Sequence, residues 1–315
     1  MTFINDLKHT ARGVEKRVAN VAQAVPVQAV TGFVQDTFEG GVHQARNVGK
    51  AVQHVPETVD TWKRLAGAVV SGDRTLLPGH MPAYPTLDAT QLDAAKAAGA
   101  GKRVEQPFLQ DDKDGNGANE PVTLYLTGSK ADVVKALVKQ GWVQNNGRSI
   151  KNYARQFLAV LTHYDKVSNG PVSSMFLYGR SEDMAFSKNV DYNLGRDHMR
   201  LYKKGVDPKT GQDVWAVAAT RDVAASVTLH KPEHTGPMPW DWKVATPGFG
   251  HQTDEHIDRE RDLIMHDLLA SGQVKDFQAV NGVPKGAPSQ KQPDGSYVTN
   301  GYPTDGKVYQ VAVGA

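Results

Sequence analysis

The first apolar period along the chain is helical. Ile4, Leu7, Ala11, Val14, Val18, Val21 and Val25 advance by alternating three- and four-residue steps, which places them on one helical face. Lys8, Arg12 and Lys16 lie off that face, and Pro26 ends or kinks the helix. A second series runs Val48, Val52, Val55, Val59, Trp62, Ala66 and Val69, interrupted at Pro56, with Gly40-Gly41 as the turn between the two. Residues 1–75 therefore read as an amphipathic helical region. It is either a hairpin packed on the rest of the chain or a surface that docks on a membrane or a partner protein. Val and Ala bury little area each, at about 25 cal/mol per Å², so the membrane affinity of such a face would be modest.

From residue 76 to 118 the pattern weakens into connection, with turn compositions at Leu77-Pro78-Gly79 and from Ala97 to Gly101. Asp112, Asp114, Asn116 and Gly117 imitate the start of a calcium loop. Thr123 stands where the bidentate Glu is needed, so the segment reads as a turn. From about residue 119 to 315 strands dominate. Val122 to Leu126, Met175 to Tyr178, His198 to Tyr202, Val214 to Ala219, Ala224 to Leu229 and Val308 to Val313 have strand composition. Ser129 is placed to cap a helix running through Val138, and another helix spans about Glu255 to Ala270, with Asp254 as its natural N-cap. Strands outnumber helices and rarely alternate with them. The expectation is an α+β domain with a mixed or mostly antiparallel sheet and a few packed helices, preceded by the N-terminal helical region.

Composition narrows the function. No apolar run approaches the ~18 residues a transmembrane helix needs, and a mean hydropathy of -0.47 agrees. A net charge of +2 gives no reason to expect a nucleic-acid partner. The absence of cysteine removes disulfides, thiolate metal sites and Cys nucleophiles from consideration. The start of the chain lacks the charge-then-apolar pattern of a secretory signal, so the expectation is synthesis in the cytoplasm, with signal-independent export or peripheral membrane association left open.

A series of blocks runs Pro121 to Ser129, Gly141-Trp142, Pro171-Val172-Ser173, Phe176 to Arg180 and Asp183 to Phe186. His198 to Leu201, Val214-Trp215, Ala218 to Thr220, Asp222 and Asp258 to Asp262 complete it. In order and spacing these blocks resemble the C-terminal domain of the LssY family, a bacterial family with no settled activity. The chain departs from the paired histidines of that family at Asp197-His198 and His251-Gln252, and it carries a Pro- and Trp-rich insertion from Lys231 to Gly250. In the family this domain often follows membrane domains of the DedA and lipid-phosphate-phosphatase types, which implies envelope or lipid chemistry.

Candidate chemistry gathers on two segments. At about 100° per residue, Ile257, Ile264 and Leu268 form the buried stripe of the late helix, with Glu260 and Arg261 flanking it. Both should therefore face inward, each with a partner of opposite charge. Asp222 and Asp183 are the candidates for Arg261, and Arg200, Arg221 or a metal for Glu260. In the strand from His198 to Tyr202, alternation sends His198, Arg200 and Tyr202 to one face. One reading makes His198, His251, Asp254 and Asp258 ligands of a divalent metal, with Glu260 and His198 as catalytic groups. Arg180, Arg200, Arg221 and Arg261 would then hold an anionic small molecule or lipid head group. The alternative is a structural ion-pair network. Three functions stay open: a metal-assisted hydrolase acting on an anionic, lipid- or envelope-related substrate; a non-catalytic module that binds an anionic ligand through an Arg-rich face; and an exported or docking protein that works through its N-terminal helices.

Overall fold

A computed structural model describes residues 75–315 apart from 112, 116–117, 148, 150–151, 153–154, 157–158, 161–167, 174, 193, 230–246, 286–288, 292–296, 300–301 and 315; before residue 75 it describes only Asp60, Thr61 and Arg64. The helical series expected over residues 1–75 and most of the insertion after Lys231 lie outside the described residues. The chain divides into two compact units, Met1–Thr75 with Val227–Phe249, and Leu76–Ser226 with Gly250–Ala315. Every candidate site residue, from Arg180 to Arg261, falls in the second.

That unit is α+β. Its strands are β1 (Thr75–Pro78), β2 (Arg103–Gln110), β3 (Ala118–Pro121), β4 (Leu124–Thr127), β5 (Val143–Gln144), β6 (Phe176–Leu177), β7 (Arg180–Ser181) and β8 (Met184–Asp191). They continue with β9 (Gly195–Val206), β10 (Asp213–Leu229), β11 (Pro247–Thr253), β12 (Val274–Lys285), β13 (Ser289–Lys291), β14 (Tyr297–Thr299), β15 (Tyr302–Thr304) and β16 (Lys307–Val313). Three helices are described: α1 (Ala89–Ala98), α2 (Lys130–Lys139) and α3 (Ile257–Ser271). The main sheet has the order β5-β8-β9-β10-β4-β16-β12-β2-β6-β7; β1 and β11 also pair with β10, and β3 with β2. β4 with β16 and β12 with β2 are parallel, whereas the other pairs of known register are antiparallel. β13, β14 and β15 form a separate small meander.

Side chains alternate across this sheet, so each strand feeds two cores. On one face Leu124, Leu126, Met199, Leu201, Trp215, Val217 and Ala219 pack with Val133 and Leu137 of α2 and with Ile264 and Leu268 of α3. On the other, Tyr125, Tyr202, Ala216 and Ala218 pack with Leu109, Val122, Leu177, Val280 and Val308. Ser129 caps α2 by accepting from the Asp132 amide, as its sequence predicts. α3 starts at Ile257 behind His256, which offers no side-chain cap. Asp254, expected as the cap, instead accepts from the His256 amide ahead of the helix.

Residues 76–118 are more ordered than a connection. They carry β1, α1 and β2. Their composition hides this because α1 buries only Ala95 and so has no apolar stripe to read, while Pro107 sits inside β2. Gly99, which closes α1, shows why that end is fixed. A Cβ there would lie 2.0 Å from the carbonyl oxygen of Ala279 on β12.

Candidate functional site

β9 and β10 pair with Thr220 opposite His198 and Arg221 opposite Asp197. Alternation then sends Arg196, His198, Arg200, Thr220 and Asp222 to one face and Asp197 and Arg221 to the other. Two separate polar clusters result, back to back through the same two strands.

The first cluster centres on Asp222. Its Oδ2 accepts from Arg196 Nε at 3.1 Å and lies 3.5 Å from Nδ1 of both His198 and His251. Neither Nδ1 has a hydrogen-bond partner. Arg196 and His198 are buried, while the His251 side chain keeps 22% of its exposure. Beside them, the Thr220 hydroxyl donates to Glu120 at 3.1 Å and lies 3.1 Å from His198 Nε2; Glu120 also accepts from Arg200 Nη1 at 2.9 Å. Burial holds His198 down at about 3, with Arg200, Arg196 and His251 pressing the same way and Asp222 opposing. His251 is lowered for the same first reason. Burial alone would raise Asp222. His198 and His251 in their protonated forms, and then Arg196, prevail and hold it at about 2. At neutral pH both imidazoles are uncharged, so Arg196 is the cation that keeps Asp222 ionised.

The order hydroxyl, imidazole, carboxylate in Thr220, His198 and Asp222 has the outline of a nucleophile and its base. Thr220 is wholly buried, and its proton goes to Glu120. His251, which reaches solvent, is the better placed group.

The second cluster lies against α3. Arg221 Nε donates to Asp197 at 2.5 Å, Nη1 donates to the Pro82 carbonyl at 2.6 Å, and the guanidinium stacks 3.6 Å from the Tyr84 ring. Tyr84 in turn donates to Asp254 at 3.3 Å. Glu260, at 0% exposure, places Oε2 3.9 Å from Arg221 Nε. Burial raises Glu260 well above an ordinary carboxyl, and the adjacent Asp197 raises it further against the pull of Arg221. One guanidinium faces two carboxyls, so the neutral arrangement has one proton. Glu260, wholly buried and without a hydrogen-bond partner on either oxygen, carries it. A raised carboxyl favours the fold below its unfolded value near 4.5, and that contribution is lost as pH rises through the folded value. Melting temperature should therefore fall from about pH 5 upward in the wild type and fall less in Glu260→Gln, which cannot ionise. Parallel pH profiles of the two proteins would contradict a neutral Glu260.

The residues picked from sequence are thus distributed rather than joined. His198 and His251 meet on Asp222, Asp254 stands by Tyr84, and Asp258 belongs to a third cluster around Arg261. The four expected metal ligands do not converge, and among the described residues no three His, Asp or Glu side chains form a metal-holding group. His198 and Glu260 occupy opposite faces of the β9–β10 pair, so they do not act on one atom. The arginines expected to hold an anion are engaged internally: Arg200 with Glu120, Arg221 with Asp197, and Arg261 with Asp258, Asp262 and Asp305. Arg180 is exposed but pairs with Asp183 at 3.3 Å and donates to the Lys203 carbonyl.

The family model described as the LssY C-terminus matches residues 105–308. No curated protein and no solved structure matches the chain.

Proposed function

The chain belongs to the LssY C-terminal domain family, and we propose that it is a hydrolase of an anionic, lipid- or envelope-related substrate, with His251 as general base and Asp222 as the carboxylate that orients it. One observation carries the reading. A partly exposed imidazole, neutral at neutral pH, faces a buried ionised carboxylate through Nδ1. That arrangement leaves Nε2 free to take a proton from an attacking water and return it to the leaving group. The 3.5 Å separation is longer than a finished hydrogen bond. Such contacts tighten when substrate binds.

The substrate class rests on the membrane-associated domains that accompany this family, since Arg200, Arg221 and Arg261 are occupied. Metal assistance would need ligands that the structure keeps apart. Among the described residues no helix is long and apolar enough to cross a membrane. The amphipathic pattern of residues 1–75 is the part of the sequence suited to contact with a lipid surface or a partner.

Turnover of a panel of phosphomonoester, phosphodiester and carboxylic ester chromogens tests the reading. Wild type should hydrolyse at least one class, and His251→Gln should lower kcat/KM by roughly 10²–10⁴ with its melting temperature nearly unchanged. Equal turnover in the two proteins, or none in wild type, would remove the hydrolase.

A further inference from the structure

The hydrogen bonds around Thr220 fix the position of the proton on His198. Glu120 is held by Arg200 at 2.9 Å and as a carboxylate can only accept. A threonine hydroxyl has one proton, and a charged carboxylate is a stronger acceptor than a neutral imidazole. Thr220 therefore donates to Glu120, at 3.1 Å. Its lone pairs are what His198 Nε2 meets, also at 3.1 Å. Two lone pairs in contact would repel, so Nε2 must carry the hydrogen. A neutral imidazole has only one N–H, which leaves Nδ1 bare. That atom is buried, has no hydrogen-bond partner, and points at Asp222 Oδ2 from 3.5 Å.

We infer that Thr220 and Glu120 are positioning residues which hold His198 as the Nε2–H tautomer, so that Nδ1 is its basic atom and shares the Asp222 oxygen with His251. The pairing of His198 with Asp222 is then incomplete in the resting protein, because a lone pair faces a carboxylate and no proton lies between them. In that tautomer the His198 ring offers Asp222 no proton, so its Oδ2 is left to Arg196 and His251. Arg200 anchors the far end of the chain by keeping Glu120 an acceptor. The catalytic use of this arrangement rests on the hydrolase reading above. The tautomer itself does not, and it stands or falls separately.

Long-range proton–nitrogen correlation spectra of the full chain, labelled at histidine nitrogen, read the tautomer directly, with His198→Gln assigning the signal. Wild type and Thr220→Ser, which keeps the hydroxyl, should both show His198 protonated on Nε2. Thr220→Val removes the oxygen that accepts this proton. In that variant His198 should shift to the Nδ1–H tautomer and donate to Asp222. A wild-type His198 already protonated on Nδ1, or a tautomer that Thr220→Val leaves unchanged, would overturn the inference. Should Thr220→Val fail to fold, the wild-type and Thr220→Ser spectra still decide it. Hydrolysis lost without a change of tautomer, or the tautomer confirmed in a protein that hydrolyses nothing, separates this inference from the hydrolase reading.

Discussion

Arg261→Ala should lower the melting temperature by on the order of 10 °C, since breaking a buried pair costs ~3–5 kcal/mol and each kcal/mol moves a unit of this size by ~2–4 °C. The side chain is almost wholly buried. Its guanidinium meets both oxygens of Asp305, through Nη1 at 2.8 Å and Nη2 at 3.1 Å, and also reaches Asp258, Asp262 and the Lys307 carbonyl. The ring of Tyr309 lies 4.2 Å from its centre. Alanine removes the guanidinium that three carboxylates share and leaves α3 less firmly tied to the turn before β16. Burial works against Asp305, and Arg261 is what holds it low. The deficit should therefore shrink as the pH falls and those carboxylates are protonated. Arg261→Lys should recover only part of the loss, because an ammonium cannot span both oxygens of Asp305. A change of under about 1 kcal/mol for Arg261→Ala would place this network among ordinary surface pairs.

The second large effect concerns activity. Asp222→Asn should reduce hydrolysis by roughly 10²–10⁴, comparable to loss of the base itself, although the side chain neither touches solvent nor reaches a substrate. The amide keeps the shape but withdraws the negative charge shared by Arg196, His198 and His251. His251 then loses the partner that favours a protonated ring, and its orientation is no longer enforced. Stability should also drop, since the buried Arg196 keeps the Pro171 carbonyl but loses its carboxylate counter-charge. A kcat within twofold of wild type in folded Asp222→Asn would place Asp222 in the architecture alone.

Part of this arrangement is legible in the sequence. The helical angle of Glu260 and Arg261 points both inward, and both are buried. Arg221, one of the partners expected for Glu260, stands 3.9 Å away. Arg261 differs from expectation. Neither Asp222 nor Asp183 meets it, and Asp305 fills the role from a turn 44 residues further along the chain. The centre of the first cluster is hidden for a related reason. Period-2 alternation puts His198 and Arg200 on one face, but only the register of β9 against β10 reveals that Thr220 and Asp222 share it. Arg196 escapes notice because it lies just before the His198 to Tyr202 run, and Glu120 because β3 has no apolar alternation. The convergence of His251 depends on β11 returning to β10, after a stretch whose sequence has no regular period.

The central claim is a neutral, partly exposed His251 set against an ionised Asp222. Titration of the histidine ring signals by NMR in wild type and in Asp222→Asn tests it most directly. His251 should stay uncharged through neutral pH with a midpoint below 6.5, His198 should titrate far lower, at about 3, and Asp222→Asn should move the His251 midpoint further down because the attraction of the carboxylate is gone. A His251 midpoint at or above 6.5, or one indifferent to Asp222→Asn, would contradict the account.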